Sequence, residues 1–290
     1  MPLNAGTSIG PYVVEEHLGD REFVSTYSVR HGENATLHVL DLLDPELLDS
    51  DDAIKRFQGD AKTIARLKHG NLHRITDVVA DGEHHGLVRD VLEGETLEDR
   101  VARESTLPFD EVANVLAPVL EALHYVHERG IVHRDLRPGN VFLATDPEAE
   151  GGVKPLLVDF GIARIIERVI LAGRGRGSRT SLTLGTPQYM SPEQVRNEPD
   201  IDRRCDLWAA GVMVYELMIG RTAFDGDGEA GIMQEVVSGR WGDEAGRESL
   251  PDEVKLPLKR CLAVSRDKRY PTARALRAAL ELAAKRAARA

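Results

Sequence analysis

The chain changes texture at Gly94, and that change limits its fold more than any other feature. Before Gly94 lie short runs that read as strands. Tyr12-Val13-Val14 leads to a turn at Gly19-Asp20, and Phe23 to Val29 and Ala35 to Leu40 follow, split by the polar His31-Gly32-Glu33-Asn34. One helix interrupts them: Ser50 or an adjacent Asp can cap it, and Ile54, Phe57, Ala61, Ile64 and Leu67 recur at spacings of three and four. Two more strand-like runs, Ile75 to Ala80 and Leu87 to Leu92, complete this part, with His84-His85 placed in a solvated turn between them.

After Gly94 the apolar residues follow a helical period. Val112, Val115, Leu116, Val119, Leu120, Leu123 and Val126 form one long stripe, with a kink or break expected at Pro118. Further helices are expected at Leu207 to Met218, Glu229 to Ser238, Leu256 to Cys261 and Thr272 to Arg289. A small β-rich lobe with one main helix, then a larger helical lobe, is an α+β arrangement. The reading is of a single domain over residues 1–290, with lobes at about 9–92 and 96–284 and a hinge at about 91–95. A joint of that kind makes a cleft, where ligands commonly bind.

Composition removes several classes. The 290 residues carry 37 Lys and Arg against 48 Asp and Glu, a net charge of −11, which speaks against a nucleic-acid or anionic-membrane surface. Cys205 and Cys261 stand far apart with no CxxC partner, so a disulfide framework or zinc site is not expected. The first ten residues lack the basic and apolar segments of a signal peptide. Leu207 to Ile219, the most apolar stretch, carries Glu216 and is too short to span a bilayer. The expectation is a cytoplasmic chain without a membrane segment.

Chemistry concentrates in two places. His133-Arg134-Asp135-Leu136-Arg137-Pro138-Gly139-Asn140 sets an Asp and an Asn five positions apart, and Asp159-Phe160-Gly161 follows the apolar Leu156-Leu157-Val158. Phosphoryl transfer needs one carboxylate to orient an attacking hydroxyl, and an amide oxygen with a second carboxylate to hold Mg²⁺ on the phosphates. Asp135, Asn140 and Asp159 supply those groups in that chain order.

With these motifs in place the chain resembles the eukaryotic-like Ser/Thr protein kinases, most closely the bacterial ones, from about Ile9 to Leu282. Ser191-Pro192-Glu193 resembles the family's APE motif, Gly185 to Met190 its substrate-docking segment, and Asp206 to Gly211 the signature of its central buried helix; Arg269 fits the late Arg that pairs with Glu193. The resemblance implies a bilobal fold, ATP and Mg²⁺ as cofactors, and a protein substrate or protein partner, a second copy of the domain included. It implies catalytic roles for Asp135, Arg137 and Asn140, metal ligation by Asn140 and Asp159, and substrate docking at Thr186. Ser178, Thr180, Ser181 and Thr183, beside Arg174, Arg176 and Arg179, are then phosphorylation candidates of the activation segment.

The departures from the family concern the nucleotide. Its GxGxxGxV loop matches Gly19 to Thr26, where two of three glycines are gone and Arg21 and Val24 add side chains. The VAIK motif aligns with Ala35-Thr36-Leu37-His38, which puts His38 at the ATP-anchoring lysine, and Asp60 stands for that lysine's helix-borne Glu partner. Arg89 falls at the gatekeeper, followed by Asp90 and Val91. The expected nucleotide-binding set is thus Gly19, Arg21, Thr26, Thr36, His38, Asp60, Arg89, Asp90 and Val91, with Arg89 expected to pair with Asp60. This points to impaired ATP anchoring and a pseudokinase that serves as a signalling scaffold or allosteric partner. The alternative is an active Ser/Thr kinase with a relocated cation, Arg89 or Arg21.

Overall fold

The computed structural model describes residues 2–21, 23–173 and 186–289, which fall into two compact units. The first holds residues up to 68, residues 73–93 and residues 164–173; the second holds residues 69–72, 94–163 and those from 186 onward. The boundary at 93/94 matches the change of texture. The helix Ile162–Gly173, which the sequence reading did not anticipate, lies from Arg164 onward in the first unit.

Six antiparallel strands build the first unit: β1 (Ser8–Ile9), β2 (Tyr12–Arg21), β3 (Val24–His31), β4 (Leu37–Leu43), β5 (Ile75–Asp81) and β6 (His84–Asp90), in the order β1-β2-β3-β4-β6-β5. Alternation along them separates two faces. Tyr12, Val14, Tyr27, Val29, Leu40, Leu42, Val79 and Val88 close into one buried apolar cluster with Ile9. Val24, Thr26, Asp41, Leu43, Leu87 and Arg89 belong to the opposite face by the same alternation. Helix α1 (Asp51–Ala65) starts as expected: Ser50 Oγ accepts from Ala53 N at 3.3 Å. It buries Ala53, Phe57, Ala61 and Ile64 and packs along β5.

Three local expectations shift. β2 does not turn at Gly19-Asp20, because Gly19 and Asp20 pair with Thr26 and Ser25 in the ladder; the reversal follows Arg21, with Phe23 at φ +64°. β4 starts at Leu37 rather than Ala35 and runs on to Leu43. The Asn34 side chain accepts from Thr36 N at 3.1 Å and Thr36 Oγ1 at 2.7 Å, an Asx turn that keeps Ala35 and Thr36 in the connection. His85 lies within β6 and is buried, its ring 5.8 Å from that of Phe57.

The second unit carries a three-stranded sheet, β7 (Gly94–Thr96), β8 (Val141–Thr145) and β9 (Val153–Leu157), and a set of helices. These are α2 (Leu97–Glu104), α3 (Phe109–His127), α5 (Pro192–Val195), α6 (Arg204–Ile219), α7 (Gly228–Ser238), α8 (Glu244–Ser249), α9 (Asp252–Cys261) and α10 (Ala273–Ala287), with α4 the Ile162–Gly173 helix already described. Helix α3 continues through Pro118. Burial of Val112, Val115, Leu116, Val119, Leu120 and Leu123 outweighs the lost backbone bond, which costs about 3 kcal/mol. No described helix is long and apolar enough to cross a membrane.

Helix α6 is apolar all round and sits in the core, and its one fully buried carboxylate organises the neighbouring loop. Asp206 accepts from His127 Nε2 at 2.7 Å, His133 N at 2.9 Å and Arg134 N at 2.8 Å. Burial alone would raise its pKa, but the bond and charge of His127, with His133, hold it below the ordinary 3.8. A second buried pair forms as expected, Arg269 gripping both oxygens of Glu193 at 2.6 and 2.8 Å.

A carboxyl held below its ordinary pKa adds stability above that value and loses it as pH falls through the depressed one. Asp206→Asn should therefore cost about 1.5–3 kcal/mol at pH 7 in urea unfolding. The gap to wild type should close as pH drops beneath 3.8.

Candidate active site

In the second unit the loop between α3 and β8 is shaped by its backbone. Asp206 takes the amides of His133 and Arg134, and Arg134 adopts φ +68°. His133 is fully buried, its Nε2 3.1 Å from Val158 O. These contacts present Asp135 and Asn140 together: Asn140 Nδ2 donates to Asp135 O at 2.6 Å and to Asp135 Oδ2 at 3.0 Å. With its nitrogen engaged there, the Asn140 amide has its oxygen left for a cation. Val158 N donates to Asn140 O at 3.1 Å, so Asp159 follows within one residue of that contact. Asp159 has φ +56°, a region Asp enters more readily than most residues.

An amide oxygen and a carboxylate are hard donors suited to Mg²⁺, which completes its shell with waters and phosphates. Among the described residues no group of three or more His, Cys, Asp or Glu could hold a metal by itself. Arg137 donates to Glu98 at 3.1 Å, and Thr186 accepts the Tyr189 amide at 3.0 Å at the start of a short 3₁₀ turn. Ser178, Thr180, Ser181 and Thr183 lie outside the described residues.

The first unit presents an ion cluster on the face of its sheet opposite the apolar cluster. Asp41 lies inside the apolar run Val39-Leu40-Asp41-Leu42-Leu43 and is 1% exposed. It accepts from Arg89 Nε at 2.7 Å and Nη2 at 3.0 Å, from Thr26 Oγ1 at 2.8 Å and from Arg21 Nη2 at 3.2 Å. Two guanidiniums and a hydroxyl thus compensate one desolvated carboxylate.

That cluster corrects two expectations. Arg89 pairs with Asp41 and not with Asp60, because Asp41 is its near neighbour across the β4–β6 ladder, where Arg89 faces Val39. Asp60 is held instead by Arg168 of α4, Nη1 to Oδ1 at 2.5 Å. The grouping of Thr36 and His38 with Thr26 and Arg89 is also not found. Alternation puts His38 on the side of Leu40 and Leu42, where its ring meets Tyr12 at 5.8 Å and its Nδ1 lies 3.6 Å from Asp90. Its Nε2 is 2.8 Å from Thr36 Oγ1. Gly19 sits in the ladder at φ +150°, Asp90 O meets His73 Nε2 at 2.8 Å, and Val91 is exposed.

Comparison with known proteins gives the family. The protein kinase domain model matches residues 12–280. The chain belongs to the protein kinase domain family. The kinase domain is 32% identical over 285 residues to the Ser/Thr protein kinase PkaA of Streptomyces coelicolor, covering 94% of this chain and 50% of that protein. It is 34% identical over 229 residues to PknL of Mycobacterium tuberculosis, covering 78% and 53%. The crystal structure of the M. tuberculosis PknI kinase domain aligns with a TM-score of 0.70 at 25% identity, over 97% of this chain and all of that one. The kinase domain spans about half the length of the curated relatives it matches. Its architecture is the bilobal protein-kinase fold, α+β with a small β-rich lobe and a larger helical one.

The sequence reading passed over Asp41 and Arg168. Asp41 had a signal: a carboxylate inside an apolar strand must be buried with a cation or sit on an exposed face, and Leu42 and Leu43 leave no exposed face. Arg168 had none, since only the packing of α4 sets it beside Asp60.

If the cluster compensates Asp41 as described, Arg89→Met should destabilise the kinase domain by about 3–5 kcal/mol in urea unfolding, because a buried charge loses its main partner. Arg89→Met/Asp41→Leu should recover most of that loss, a non-additivity that a double-mutant cycle measures directly.

Proposed function

We propose that this Ser/Thr protein kinase domain anchors nucleotide weakly and works as a pseudokinase or strongly impaired kinase, a signalling module read by a protein partner. The observation that carries this is the engagement of both relocated-cation candidates: Arg89 and Arg21 both bond Asp41. Guanidiniums whose donors are turned to a buried carboxylate are not aimed at the developing charge on a transferred phosphoryl group, and turning them away would leave that carboxylate uncompensated. Losing a charge-assisted contact of a few kcal/mol slows transfer by roughly 10²–10³-fold.

The second reading, an active kinase transferring the ATP γ-phosphate to a protein Ser or Thr, draws on two observations. Asp135 and Asn140 keep the arrangement that the chemistry needs. Arg21 is 42% exposed in its side chain, so it could turn to a phosphate. In that reading Asp135 orients the attacking hydroxyl, Asn140 and Asp159 hold Mg²⁺, and Arg137 and Thr186 position the acceptor peptide.

Thermal unfolding with millimolar ATP and Mg²⁺ separates the two. A ligand at a hundred times its Kd adds about 2.7 kcal/mol of stability, a clear rise in midpoint. The proposal expects little or no rise and no phosphate transfer. Autophosphorylation that disappears in Asp135→Asn would refute it and establish the active reading.

A further inference from the structure

We infer that Asp41, not His38, occupies the place of the family's ATP-anchoring lysine, and that Arg21, Asp41 and Arg89 form a charge-inverted anchor that excludes nucleoside triphosphates. The inference deepens the reading of weak nucleotide anchoring and rests on it.

Three observations converge. The first is register: Thr26, at the valine of the glycine-rich loop pattern, pairs directly with Asp41 across the β3–β4 ladder. The second is the division of faces. Thr26, Asp41 and Arg89 share one side, while His38 belongs to the side of Leu40 and Leu42 and is engaged by Tyr12, Thr36 and Asp90. No lysine placed at 38 could reach the partners of Arg89 without crossing the sheet. The third is sequence. Three residues beyond the first alignment, His38-Val39-Leu40-Asp41 fits the VAIK pattern as well, with apolar Val39 and Leu40 before a charged residue. The Asx turn at Asn34 keeps Ala35 and Thr36, half of the first alignment, out of the strand.

The charges then follow a simple scheme. In the family one cation at this position meets the phosphates of ATP. Here the position carries an anion, and the cations come from other strands of the sheet, Arg89 from the adjacent β6 and Arg21 from β2, one strand beyond β3. The cluster holds one positive charge in excess, but its carboxylate lies at the centre and its guanidiniums point inward to it. An incoming triphosphate finds the guanidinium donors already turned to the Asp41 carboxylate, and it must compete with that fixed anion for them. The ligand class that this arrangement rejects is a polyphosphate, and the group responsible is the Asp41 carboxylate.

The test removes that one charge without changing shape. ATP with Mg²⁺, and inorganic tripolyphosphate, are titrated by calorimetry against wild type, Asp41→Asn, Asp41→Lys/Arg89→Met and His38→Lys, each checked for folding by circular dichroism. Asp41→Asn and the double variant should bind both ligands at least tenfold more tightly than wild type, and His38→Lys should not differ from it. A folded Asp41→Asn with wild-type affinity overturns the inference, as does a gain in His38→Lys. If Asp41→Asn does not fold, the double variant against His38→Lys decides in the same way. Wild-type transfer dependent on Asp135 would defeat the weak-anchoring reading. It would leave this comparison intact, because the comparison is read as a change between variants.

Discussion

A carboxylate taken out of water must be met by donors, and much of this molecule is arranged around three that have been. Asp206 on the central helix α6 gathers His127 and the amides of His133 and Arg134, and so sets the backbone from which Asp135 and Asn140 project. Glu193 and Arg269 join the segment at α5 to the approach of α10 in the same unit. Asp41 gathers Arg89, Arg21 and Thr26 on one face of the first unit's sheet. Each pairing follows one rule, that an unpaired buried charge costs several kcal/mol and a paired one much less.

The contrast between the two units follows from that. The second brings the Asn140 amide onto Asp135 by two contacts in the loop between α3 and β8. The first turns its two guanidiniums inward to one buried carboxylate. The two charges on different strands depend on each other, since the aspartate in β4 without Arg89 would lose its bidentate partner. Asp60, freed from any part in that cluster, is taken by Arg168 of the helix that follows Asp159-Phe160-Gly161.

Much of this was legible in the sequence. Period-two and helical patterns, and the caps and turns between them, placed the boundary at Gly94, helix α1 and the long stripe of α3, because those signals depend only on neighbours along the chain. The motifs at Asp135, Asn140 and Asp159 stood out because their spacing is itself the chemistry. The pairing of Glu193 with Arg269 was also anticipated, from the resemblance. What escaped was register. Asn34 captures Thr36 and holds it out of the strand, so β4 begins at Leu37, and pairing with Val29 turns His38 to the side of the apolar cluster.

The sequence by itself determined that this is an α+β chain of two lobes in the protein kinase domain family. Only the tertiary structure decided which faces of the sheet His38 and Asp41 take and which cations answer Asp41. The reason is geometric. Side chains of a strand change face at every residue, and the pairing of His38 with Val29 and of Asp41 with Thr26 sets those two residues on opposite faces. The partners of Asp41 come from β2, β3 and β6, and sheet pairing, not proximity in sequence, brings them together.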